Sequence, residues 1–216
     1  MNDKPQTETP TSTESATTTG NDAMKQAKET TANAITALKT LISDPIGGQL
    51  KAYEELGSSN ALKVGGFFGL IFSICVIFVI HGVFDLVNFH IIVTAVIPPI
   101  ALFGGFLLVT KIFGEKEYDV GASAFTTGVA ITPLTAMIVG SSFLGFENGE
   151  AIAVLGLFCA CITIIAISTA LQDIYKLSAQ KAVLITPTLI LIAAYLSKLM
   201  YFKMAESAVK AAFMDY

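Results

Sequence analysis

Residues 62–80 read LKVGGFFGLIFSICVIFVI. These nineteen residues hold one charge, Lys63, near their start, and no acid. At 1.5 Å per residue, a helix of about 20 apolar residues crosses the hydrocarbon layer of a bilayer. A helix on the surface of a soluble domain keeps a polar face, and this stretch has none. Its β-branched ending would suit a strand in water, but the period-two alternation of a barrel strand is missing. In lipid, the backbone must satisfy its own hydrogen bonds, so the stretch is predicted to be a helix.

Four further runs share this character, at about 90–112, 121–143, 151–171 and 182–202. The links between the five are short: HGVFDLVNF, GEKEYDV, LGFENGE and QDIYKLSAQK. Links of that length force sequential helices to run antiparallel as neighbours. The fold class predicted is therefore all-α, a polytopic membrane protein of five transmembrane helices over 61–203. Composition agrees. The 216 residues are 53% hydrophobic and 14% charged, where a soluble domain carries about 25% charged residues. So few charges could not cover a soluble globule, which disfavours an ordinary soluble enzyme. All 13 basic residues are lysines and the net charge is −4, so no basic footprint for nucleic acid exists.

Ahead of the spans, residues 1–21 read MNDKPQTETPTSTESATTTGN, too polar to bury anything against the cost of ordering, and are predicted to be a disordered tail. Over 22–60 the pattern turns amphipathic. Ala23, Ala27, Ala34, Ile35, Leu38, Leu41 and Ile42 fall at helical steps behind an N-cap at Asn21 or Asp22. Asp44-Pro45 breaks this helix, because the residue before proline leaves the helical region. A second stripe, Ile46, Leu50, Tyr53 and Leu56, is expected to end at Gly57-Ser58-Ser59-Asn60. Both helices are expected on the membrane surface or under the bundle. Residues 204–216 form a short C-terminal tail.

Five lysines precede the first span and a sixth, Lys63, stands at its start; the second and fourth links with their flanks hold Lys111, Lys116, Lys176 and Lys181, while the first and third hold none. Lysine excess marks the cytoplasmic side. The N-terminus is thus expected inside and, after five spans, the C-terminus outside, with Lys198, Lys203 and Lys210 a minor exception.

Prolines interrupt three spans: Pro98 and Pro99 in the second, Pro133 in the third, Pro187 in the fifth. Each removes a backbone donor and frees a carbonyl, so kinks are expected. Thr132 and Thr186 precede two of them, and a threonine hydroxyl can satisfy a freed carbonyl. With Thr94 these form the candidate set of kink or cavity residues. Small residues at four-residue spacing, Gly65/Gly69, Ala124/Gly128, Ala136/Gly140 and Ala166/Ala170, allow close helix approach. Gly65, Gly69, Gly128 and Gly140 are the candidate packing positions, expected within one chain, with a homo-oligomer as the alternative.

Reactive chemistry is sparse. No acid or histidine falls deep in a span, which counts against ion-coupled transport. A metal site needs three or four converging ligands, and the chain has two histidines, His81 and His90, flanking the first link with Asp85. Cys75, Cys159 and Cys161 lie inside spans without a CxxC pattern, and there is no P-loop, GxSxG or HExxH. No catalytic residue, cofactor or metal is expected.

The layout resembles the Yip family of five-span membrane proteins, Ypt-interacting in eukaryotes, in its prokaryotic type. The resemblance lies in ISDPIGGQLKAYEEL ahead of the first span, in five closely spaced spans, and in the third span's AFTTGVAITPLTAMIVG. It implies a prokaryotic cytoplasmic membrane and a non-catalytic scaffold or adaptor organising protein or lipid partners through residues 22–60. The eukaryotic Asp-Leu-Tyr-Gly-Pro motif is absent, so Rab-type GTPase binding is not carried over. The alternative is a small transporter or lipid-handling permease built on the proline-broken second, third and fifth spans. That reading expects a polar cavity near Thr94, Thr132 and Thr186.

Overall fold

The computed structural model describes residues 15–84, 89–113, 119–145 and 147–214. Among them are six α-helices and no strand: α1 (Ser15–Ser43), α2 (Gly48–Phe84), α3 (Phe89–Phe113), α4 (Val120–Leu144), α5 (Gly149–Asp173) and α6 (Ala179–Met214). Five of them, α2 to α6, carry stretches long and apolar enough to cross a bilayer. The chain is an integral membrane helical bundle.

Helix boundaries follow local chemistry. Asp44 stops α1; its carboxylate accepts the Gly47 amide at 2.8 Å, and the turn over Pro45 delivers the chain to α2. Gly48 is buried against α1, where an added Cβ would lie 2.7 Å from the Thr40 carbonyl. Asp119 and Asn148 cap α4 and α5, accepting the amides of Ala122 and Ala151 at 3.1 and 3.3 Å.

Three boundaries differ from expectation and one agrees. The expected tail lies outside the described residues as far as 14, and α1 already runs from Ser15, seven residues ahead of Asp22. Gly57 does end the helix of the second stripe, as expected. Its φ of 67° and ψ of 162° lie outside the helical region, so α2 is two helical arms meeting at a kink, the second starting at once, and the conformation costs glycine little because it has no Cβ. At its far end α2 runs on through His81 to Phe84, and Asp85 lies outside the described residues. Finally, α6 continues past the span into the expected C-terminal tail, to Met214, since alanine, lysine, glutamate and methionine over 203–214 are good helix formers.

The core falls into two clusters. One joins α2, α3, α4, α5 and α6 through Phe72, Phe106, Ile131, Ile167, Leu171 and Leu189. The other joins α1 and the start of α2 to α4 and α5 through Ala34, Ala37, Ala52, Phe125, Val129 and Ala166. α4 is the axle, with 56% of its apolar stretch buried against 17% in α6.

Candidate functional site

The densest polar constellation lies where α2 bends against the start of α4. Tyr53 sits before the bend and Ser58 after it, and both hydroxyls donate to one carboxylate, that of Asp119; the Ser58 bond is 2.6 Å. The Asp119 carboxylate also caps α4 through the Ala122 amide. One side chain thus ties the pre-membrane segment, the bend and the axle together. Burial pulls the Asp119 carboxyl up, but the Ser58 and Tyr53 hydroxyls and the Ala122 and Gly121 amides hold it below the ordinary carboxylate value. It stays an anionic acceptor at neutral pH, also favoured by the positive end of the α4 dipole.

Glycine makes the approach possible. A Cβ on Gly121 would overlap the Ser58 carbonyl, and one on Gly65 would overlap the Ala124 carbonyl. A Cβ on Gly128 would come within 2.8 Å of the Gly65 Cα. Gly65 and Gly128 therefore meet each other, and α2 and α4 touch backbone to backbone. Gly69 makes only ordinary contacts with Pro99 and Ile131, and Gly140 faces Leu155 of α5.

Two further anchors hold the same end. Gln49, 1% exposed, donates its Nε2 to the Ala166 carbonyl at 3.1 Å, while its Oε1 has no hydrogen-bond partner. Between α5 and α6, the left-handed Lys176 (φ 58°) lets its two neighbours, Tyr175 and Leu177, both turn inward. Tyr175 stacks on Phe106 at 5.8 Å and donates to the Ser123 hydroxyl at 3.4 Å. Burial pushes its phenol up to about 12, so it remains a donor.

The kink residues scatter. Pro99 frees the Ala95 carbonyl, and it is Ser73 of α2, 3.2 Å away, whose hydroxyl reaches it, shared with Gly69 at 3.0 Å. Thr132 does not reach the carbonyl that Pro133 frees, Val129's; it donates to Gly128 at 2.8 Å. Thr186 is buried and its hydroxyl has no hydrogen-bond partner. Pro187 is exposed, Pro133 half-buried and Thr94 buried. Pro98 and Pro99, adjacent in sequence, line different cavities. An apolar groove of about 400 Å³ between α2, α3 and α4 is bordered by Gly66, Gly69, Pro99 and Phe103. A cavity of about 300 Å³ between α3, α4, α5 and α6 is bordered by Pro98, Met137, Thr163 and Ser197. Thr94, Thr132 and Thr186 line neither. Most other span hydroxyls, Thr110, Thr127, Thr135, Thr169 and Thr188 among them, turn back on the carbonyl four residues earlier.

Among the described residues no group of three or more His, Cys, Asp or Glu side chains gathers as a metal site. His81 is exposed, and the side chain of His90 lies outside the described residues. Cys159 is buried and Cys161 exposed, on different faces of α5.

Sequence reasoning gave no polar role to Gln49, Tyr53, Ser58, Asp119 or Tyr175; Tyr53 entered only as part of an apolar stripe and Ser58 only as part of a helix end. A signal was present for one of them: Asp119 stands directly before an apolar run that opens with Gly121, an N-cap pattern. Its hydroxyl partners lie 66 and 61 residues away, beyond any local pattern. Searches against protein-family profiles, curated proteins and solved structures find no match for this chain.

Proposed function

We propose that the chain is a non-catalytic membrane scaffold or adaptor of the Yip type, presenting its N-terminal helices at the cytoplasmic face to organise protein or lipid partners. The observation that carries this reading is the Asp119 latch. It builds residues 48–58 into the bundle, and α1 packs on that segment through Ala34 and Ala37, so the N-terminal module is fixed to the spans rather than tethered to them. A rigid presenting surface suits recruitment, because little freedom is lost when a partner binds. The topology that goes with this places the N-terminus inside, so a C-terminal alkaline phosphatase fusion is active and a green fluorescent protein fusion there is dark.

The test is affinity purification in mild detergent of the full chain beside a variant lacking 22–44. That deletion spares Gln49, Tyr53, Ser58 and the spans. Loss of co-purified proteins or lipids is expected, and an unchanged set overturns the reading.

A further inference from the structure

α1 uses only part of its circumference to hold the bundle. Ala34 and Ala37 are buried, and Leu38 and Leu41 half-buried, on the docked side. Beside that side runs a second apolar line that is largely exposed. Met24, Ile35 and Ile42 are 61%, 51% and 71% exposed. They stand eleven and seven residues apart, spacings that return to one side of a helix of 3.6 residues per turn. Ile46, in the turn that follows, is exposed as well.

The charges on α1 are sorted around this line. Lys28 and Lys39, both exposed, lie seven residues before and four after Ile35, so they share its side. Lys25 is exposed on the adjoining flank. The acids Asp22 and Glu29 come thirteen and six residues before Ile35, about a third of a turn or more away from it. The order around the helix is docked face, bare apolar line, lysines, then acids. A protein partner complementary to the whole face would meet both signs. A lysine-bordered apolar line with the acids turned off it matches the boundary between acyl chains and anionic headgroups, where apolar side chains sink and lysines reach to phosphate. The helix belongs to a chain already embedded in a bilayer, so that surface is always within its reach.

We propose that α1 seats on the anionic leaflet surface, with Met24, Ile35 and Ile42 in the acyl boundary and Lys25, Lys28 and Lys39 on lipid phosphates. This deepens the scaffold reading by naming what the helix rests on, and the two fail separately. Co-purified proteins that persist while seating fails leave the scaffold standing. Seating without any recruited partner leaves this inference standing.

The chain contains no tryptophan, so one introduced indole reports alone. Ile35→Trp, Ile42→Trp and, on the far flank, Thr36→Trp are each made in the full chain. Each is placed in nanodiscs of phosphatidylcholine with or without phosphatidylglycerol. In the anionic discs, Ile35→Trp and Ile42→Trp should emit at shorter wavelength than Thr36→Trp. They should resist acrylamide and be quenched by brominated acyl chains. Lys28→Gln and Lys39→Gln should each weaken seating by about fivefold, and raised salt should act the same way. The proposal is overturned if Ile35→Trp is as open to acrylamide as Thr36→Trp in both discs. It is also overturned if Ile35→Trp resists acrylamide but is untouched by brominated chains, which would put protein on this face.

Discussion

α2 and α4, which form a seam, and α6 are all membrane helices, with α6 between the other two in hydropathy, yet they are held by different means. At the seam, backbones meet at Gly65, Gly121 and Gly128, and a carboxylate at one end ties both helices together. α6 spends most of its surface on lipid: Val183, Leu184, Leu191 and Tyr195 are 64%, 71%, 68% and 61% exposed. Lipid tails are as apolar as leucine, so apolar side chains alone give little drive for one helix to seek another. What distinguishes the seam is small residues and hydrogen bonds, and hydropathy measures neither.

The contrast can be broken most sharply at Gly65. Gly65→Ala forces a methyl into the Ala124 carbonyl and should cost about 3 kcal/mol in unfolding measured in micelles. Gly66→Ala next door, whose Cβ would meet nothing within 4 Å, should change stability by less than about 0.5 kcal/mol. Equal effects at the two positions would remove the seam as a special feature.

Asp119→Ala removes a cap and strands two hydroxyls, for a loss of about 2 kcal/mol. The same residue gives the bundle an acid limb. Its carboxyl is held below its ordinary value, and the unfolded chain titrates near 3.9. Its contribution is therefore complete above about pH 4 and disappears as pH falls through the folded value. Asp119→Asn, which keeps a capping oxygen, should flatten that limb in acid denaturation curves.

Ser73→Ala takes the donor from the carbonyl freed by Pro99 and should cost about 1 kcal/mol, read as a lower melting temperature. Least of all, Leu184→Ala or Leu191→Ala on α6 should shift stability by no more than about 0.5 kcal/mol. A large loss there would mean that α6 carries a protein contact on its open face.

How far the sequence revealed these features depended on whether their cause was local. The spans were legible because apolar length against bilayer thickness is a local property of each run. Gly57 was legible as a terminator and does end one helical arm; that a second arm starts at once, making the break a kink, was not legible, because the contacts of that arm with α4 are distant in sequence. Pro99 was legible as a kink, while its remedy was not, since Ser73 sits on another helix. The latch was hidden for the same reason, with Asp119 visible as a cap and its two hydroxyl partners more than sixty residues upstream. Thr132 did not show its remedy in the sequence because a hydroxyl in a span has several carbonyls of its own helix within reach, and it takes that of Gly128, as Thr127 and Thr135 take theirs four residues back.

The Gln49 anchor has a consequence in time. Its acceptor, the Ala166 carbonyl, comes 117 residues later in the chain, and Asp119, Phe125 and Val129 are also made long after the segment they hold. A ribosome feeding this chain into a membrane releases α1 and the start of α2 before any of their seat exists. Those earlier-made helices must wait at the membrane while three more spans are threaded. A segment made ahead of all five spans is fixed only late, and its locking marks a bundle whose fourth span is already in place.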